Sequence, residues 1–106
     1  MPDIPSVNPA EVPDLIQKGA LLIDVREEVE WDEARIAGAV HRPMTDFATW
    51  WAEVPDDRTV VVYCRTGSRS GRVVEALVEQ AGMDNLVNLE GGIVAWAEHG
   101  FEVAEG

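Results

Sequence analysis

Cys64 is the only cysteine among 106 residues. It is followed by Arg65, Thr66, Gly67, Ser68, Arg69, Ser70, Gly71 and Arg72. These residue types suit one kind of chemistry, the holding and use of an anionic sulfur. A strand that turns tightly into a helix aims several backbone N–H groups into one concavity, and the helix N-terminus adds partial positive charge. Gly67 permits a backbone conformation that other residues resist. Thr66, Ser68 and Ser70 offer hydroxyls, and Arg65 and Arg69 add formal charge. Arg72 falls inside the following helix and reads as a solvated residue. In such surroundings a thiol that ordinarily ionises near pH 8.5 can drop to roughly 3.5–7.5. The expected species at Cys64 is therefore a nucleophilic thiolate. Free cysteines are commonly small buried hydrophobes. An inert one, however, needs no glycine, hydroxyls and arginines beside it.

The elements that must position this loop can be read outward from it. "TVVVYC" (Thr59–Cys64) is β-branched and apolar on both faces, as suits the centre of a parallel sheet. "VVEALVEQA" (Val73–Ala81) reads as the helix after the loop, stopped by Gly82. "ALLIDV" (Ala20–Val25) and "LVNL" (Leu86–Leu89) are further buried strands, and "AVHRP" is a short one stopped by Pro43. Asn8 is placed to cap a first helix, with Pro9 at its start and Glu11 three residues after the cap. That helix is expected to run to about Lys18. Glu27–Ala34 reads as a short acidic helix. Thr45 is expected to cap a helix carrying Phe47, Trp50 and Trp51, and "GGIVAWAEH" is a final helix ended by Gly100. Strands alternate with helices, which predicts an α/β fold with a mostly parallel central sheet and helices on both faces. In such sheets ligands bind at the C-terminal ends of the strands, and Cys64 lies at one.

Composition narrows the function classes. The length suits one domain, residues 1–106. The net charge is −12, with Lys18 the only lysine. Nucleic acids and anionic membranes call for basic surfaces, so neither is an expected partner. A single cysteine excludes an intramolecular disulfide and a Cys-rich zinc site. With only His41 and His99 besides, no metal or other cofactor is expected. The N-terminus lacks a basic stretch followed by an apolar one, and the expected location is cytoplasmic.

Three stretches together resemble the rhodanese-type sulfurtransferases. "CRTGSRS" is similar to that family's active-site loop. "LLIDVREEVEWDEARIAGAVHRPM" is similar to its segment around Asp-x-Arg-Glu and a later Gly-Ala. "LVNLEGGIVAWAEHGF" is similar to its C-terminal Gly-Gly helix with a tryptophan. They cover nearly the whole chain and imply a single rhodanese-like domain. The resemblance implies that Cys64 attacks a sulfane sulfur, as in thiosulfate, and becomes a persulfide. A second nucleophile, cyanide or a thiol, then takes the sulfur. The backbone from Arg65 through Thr66, Gly67, Ser68 and Arg69 to Ser70 would cradle the sulfur, and Arg65 and Arg69 would face the anionic donor. With no second cysteine, the acceptor must be another molecule, small or protein. The chain departs from the family pattern in two places. Ala34 and Arg35 stand where Gly-His is common, and Glu102 stands where proline is common.

Other residues carry less chemistry. Asp24 and Arg26, at a strand end beside the loop, read as an ion pair bracing that edge, with direct substrate contact as the alternative. His41 has no acid or cysteine neighbour in sequence and receives no catalytic role. His99 suits a helix C-terminus. Trp96 and one of Trp50 and Trp51 read as core, leaving the other tryptophan to rim a pocket or partner surface. Gly91 and Gly92 are expected to permit close backbone packing. Two further readings of the loop stand beside the enzyme. One is a persulfide carrier that hands sulfur to a protein. The other is a phosphatase or arsenate reductase of a related fold, whose loop is one residue longer and is closed by an arginine where this chain has Ser70.

Overall fold

The apolar run before Cys64 forms a strand with no exposed residue, Val60–Tyr63. In this computed structural model, which describes residues 4–105, that strand is the centre of the main sheet. The strands in chain order are β1 (Ser6–Val7), β2 (Leu21–Asp24), β3 (Ala34–Arg35), β4 (Val40–His41), β5 (Val60–Tyr63), β6 (Leu86–Leu89) and β7 (Ala104–Glu105). The helices are α1 (Val12–Gln17), α2 (Glu28–Glu33), α3 (Phe47–Trp50), α4 (Ser68–Ala81) and α5 (Gly92–Glu98). The main sheet runs β1-β6-β5-β2-β4, and every pairing in it is parallel.

Alternation along β5 divides the core into two layers. Val60, Val62 and Cys64 face Val73, Val74 and Leu77 of α4 and Trp50 of α3. Val61 and Tyr63 face Val12 of α1 and Ile93 and Trp96 of α5. Helices therefore cover both faces, and β5 needs apolar residues at every position. Trp50 is the inward tryptophan of its pair, and its indole N–H donates to the Pro43 carbonyl at 2.9 Å.

Several local expectations are corrected. The first helix is split into a 3-10 turn at Pro9–Glu11 and α1; the Asn8 N–H donates to the Glu11 carboxylate at 3.2 Å. Thr45 does not cap α3. It sits in a 3-10 turn, Met44–Asp46, and its hydroxyl donates to the Glu27 carboxylate at 3.3 Å. The helix after the loop starts at Ser68, five residues before the apolar run that marks it in sequence. Its first turn buries Ser70 and Gly71, so hydrophobic periodicity is blind to it. The pairing of β1 with β6 and the antiparallel pair of β3 with β7 have no counterpart in the sequence pattern. Two-residue strands are too short to show a period, and β3 and β7 lie far apart in the chain.

Candidate active site

Cys64 follows β5 directly and is only 1% exposed. Gly67 takes φ +100° as the cap of α4, folding the chain back so that its N–H donates to Cys64 Sγ at 3.1 Å. The Ser70 hydroxyl lies 3.3 Å from the same sulfur. Burial pushes the thiol up. The Ser70 hydroxyl and the backbone N–H groups of Ser70, Gly67 and Thr66 outweigh it, leaving Cys64 below its ordinary value. The direction is the expected one, but hydroxyl and N–H donors carry it more than the arginines do. Hydrogen bonds to the charged form act at contact distance, whereas long cationic side chains are screened by water.

The loop is held from below by α5. Ile93 N–H donates to the Cys64 carbonyl at 3.0 Å and Val94 N–H to the Arg65 carbonyl at 3.2 Å. Gly91 and Gly92 both have positive φ, and a Cβ on Gly92 would lie 2.4 Å from the Arg65 carbonyl oxygen. The close backbone packing expected of this pair is, at Gly92, against the loop that follows Cys64; at Gly91 an added Cβ would meet the Ala95 side chain one turn on.

The loop residues do not share one environment. Arg65, Thr66 and Ser68 are exposed, Gly67 and Arg69 are half-buried and Ser70 is buried. The two arginines diverge. Arg69 donates to both carboxylate oxygens of Glu30, at 2.7 and 2.9 Å, which fastens the loop to α2. Arg65 has no ion pair among the described residues and lines a cleft of about 260 Å³ with Arg26, Glu30, Ala34, Ile93 and Val94. Asp24 and Arg26 form a buried bidentate pair, with one contact at 2.7 Å, and Arg26 also donates to the Ala34 carbonyl at 2.6 Å. His41 is within hydrogen-bonding distance of the Arg26 carbonyl at 2.7 Å and stacks on Trp31. The His99 ring donates to the Ala95 carbonyl at 3.0 Å. Trp51 is the exposed tryptophan; it rims a groove with Phe47, Ala76 and Gln80, not the cleft beside Arg65.

Sequence reasoning missed Glu30 and Asn88. Glu30 is hidden in an acidic run. Asn88 left a signal, a lone amide inside the buried strand "LVNL". Its side chain reaches both Ser70 and Gly67.

Arg69 holds the Glu30 carboxyl down at about 2, against 4.5 for an ordinary glutamate. A depressed folded-state value means that the link stabilises the fold fully above about 4.5 and fades as pH falls toward 2. Denaturant unfolding of the wild type and of Glu30→Gln is therefore expected to converge over that window. A constant gap down to its lower end would contradict the link.

The sequence profile of the Rhodanese-like domain family matches residues 8–99. The chain belongs to that family. The crystal structure of a rhodanese-related protein from Thermoplasma volcanium superposes with a TM-score of 0.84 at 34% identity, covering 94% of this chain and 97% of that one. The thiosulfate sulfurtransferase GlpE of Coxiella burnetii is 33% identical over 87 residues, 81% of this rhodanese-like chain and 80% of the relative. The probable adenylyltransferase/sulfurtransferase MoeZ of Mycobacterium tuberculosis is 42% identical over 97 residues, 88% of this chain. The match spans only 24% of MoeZ. The rhodanese-like fold and sulfurtransferase-named relatives support sulfurtransferase activity in general terms. Among the described residues, no cluster of His, Cys, Asp and Glu could hold a metal ion, and no helix is long and apolar enough to cross a membrane.

Proposed function

We propose that the protein moves a sulfane sulfur from thiosulfate or a similar donor to cyanide or a thiol through a persulfide on Cys64. The observation that carries this reading is the contact of Gly67 N–H with Cys64 Sγ at the start of α4. The thiolate attacks the outer sulfur of thiosulfate. The donor S–S bond breaks, its electron pair leaves with sulfite, and Cys64 becomes a persulfide. The acceptor then attacks the terminal sulfur and the thiolate returns with the electrons of the second S–S bond. The N–H groups from Arg65 to Ser70 stabilise the anionic sulfur at each stage. No metal or other cofactor enters these steps. Asp24 and Arg26 support the loop edge. The GlpE relative is named for thiosulfate, which favours that donor.

The chain's own residues favour a second reading as well. There is no second cysteine to resolve the persulfide, so the sulfur must leave to another molecule. In a relay that molecule is a protein, and MoeZ carries a domain of this kind within a longer chain. The setting proposed for either reading is cytoplasmic. The test is intact-mass analysis after incubation with thiosulfate, with mercaptopyruvate and with an aryl phosphate. One added sulfur on Cys64 with a sulfur donor is expected. A phosphoenzyme would overturn the assignment in favour of phosphate chemistry. Transfer from the loaded protein to cyanide or to a protein thiol separates the two sulfur readings.

The arginines make a further prediction. Arg65 is exposed and has no ion pair among the described residues, whereas Arg69 is engaged by Glu30. Arg65→Ala is expected to slow loading from thiosulfate about tenfold, equivalent to about 1.4 kcal/mol for a screened charge-assisted contact. Loading from a neutral persulfide should change little. Arg69→Ala should slow both donors alike, because it frees the loop from α2. Equal losses for both donors with Arg65→Ala would remove its role toward the anion.

A further inference from the structure

Ser70 has one hydroxyl proton and two neighbours that can accept it. Its Oγ lies 3.3 Å from Cys64 Sγ and 2.5 Å from Asn88 Oδ1. The Asn88 amide cannot be turned to relieve this competition. Its Nδ2 donates to the Gly67 carbonyl at 3.1 Å, and a carbonyl only accepts. Oδ1 must therefore face Ser70. Ser70 and Asn88 are both buried, at 0% and 6% exposure, so bulk water does not relieve the competition.

The chemical state of the sulfur then decides where the proton points. In the thiol, S–H can donate to Ser70 Oγ while Ser70 donates to Asn88. In the thiolate, the sulfur is a charged acceptor with no proton, and the Ser70 O–H turns toward it. Asn88 Oδ1 is then left facing an oxygen lone pair. In the persulfide, the charge sits on the outer sulfur. Sγ is neutral and two-coordinate, a weak acceptor, so the proton returns to Asn88. Only the O–H bond rotates; no proton is gained or lost.

We propose that Asn88 is a positioning residue that draws the Ser70 hydroxyl proton off Cys64 Sγ whenever that sulfur is not a thiolate. The persulfide half of this cycle rests on the sulfur-transfer reading; the thiol–thiolate half does not. By competing for the proton, Asn88 keeps the thiolate from being stabilised into a poor nucleophile and favours the loaded state. Its Nδ2 also ties Gly67, the other donor to the sulfur, to β6. The charged groups around the loop form none of these hydrogen bonds. They are Arg65, Arg69 with Glu30 from α2, and the Asp24–Arg26 pair at the end of β2.

The test uses no sulfur donor, so it stands apart from the mass experiment on sulfur transfer. The Asn88 side-chain amide signals of the wild-type protein are followed by NMR through the ionisation of Cys64, alongside the rate of iodoacetamide alkylation. The amide signals are expected to move with the alkylation midpoint, and Ser70→Ala should abolish that movement. Indifference of Asn88 to the titration, or an equal response in Ser70→Ala, would overturn the proposal. Asn88→Leu removes the competing acceptor. Below the midpoint one net hydrogen bond should raise the thiolate fraction about tenfold, and because the more stable thiolate is a weaker nucleophile the alkylation rate should rise about threefold. In a Ser70→Ala background it should have no further effect. Slower alkylation by the same factor in both backgrounds would reduce Asn88 to a brace for Gly67. If Asn88→Leu does not fold, the wild-type titration decides.

Discussion

Cys64→Ser is expected to lose all measurable sulfur transfer and to keep its fold. A hydroxyl in place of the thiol remains protonated at neutral pH and cannot form a persulfide. Removal of a covalent nucleophile costs on the order of 10⁴-fold or more in turnover. The structural cost is small because the side chain changes little in size. The Gly67 N–H that reaches Sγ at 3.1 Å would find an oxygen acceptor instead. Intact mass after exposure to a sulfur donor, with thermal unfolding as the control, checks both halves. A folded Cys64→Ser protein that still turns over thiosulfate would sink the mechanism.

Gly92→Ala is expected to damage stability and loop geometry together. Gly92 has φ +61°, and an added Cβ would come within 2.4–2.5 Å of the Arg65 and Cys64 carbonyl groups. Those atoms are backbone, so no side chain can swing aside. The helix would have to withdraw from the loop, breaking the bonds from Ile93 and Val94 N–H to the same two carbonyls. Overpacking costs about 1–3 kcal/mol, and a left-handed non-glycine residue adds about 1–2. The expected sum is about 3 kcal/mol or more, a large share of a total near 5–15 kcal/mol. For a domain of this size the melting temperature should fall by on the order of 15 °C. Sulfur loading should also slow, because the strand end that presents Cys64 has lost its support. Gly100→Ala, where φ is also positive but nothing lies within 4 Å, is the control. Equal stability losses at the two glycines would remove the contact with the loop as the cause.

Much of the frame was legible in sequence because its signals are local. "VVVY" could be placed at the centre of a parallel sheet because only a strand covered on both faces needs an unbroken apolar run. Gly67 marked the turn into α4, and Gly82 its end, since both require left-handed backbone. The lone thiol between an apolar strand and a loop of glycine, hydroxyls and arginines marked the candidate site.

What the tertiary structure decided depends on contacts between residues distant in the chain. The two arginines of "CRTGSRS" are equivalent as a pattern, yet Glu30, 39 positions away, claims one and leaves the other at the cleft. Gly91 and Gly92 read in sequence as a place of close backbone packing, but that the Cys64 and Arg65 carbonyls are what rests against Gly92 is decided by the fold. Asn88 is a flaw in an apolar strand by sequence and the partner of Ser70 by structure. Short-range propensity records what each segment can become. Which donor meets which acceptor is set only when β5, β6, α2, α4 and α5 close around the same sulfur.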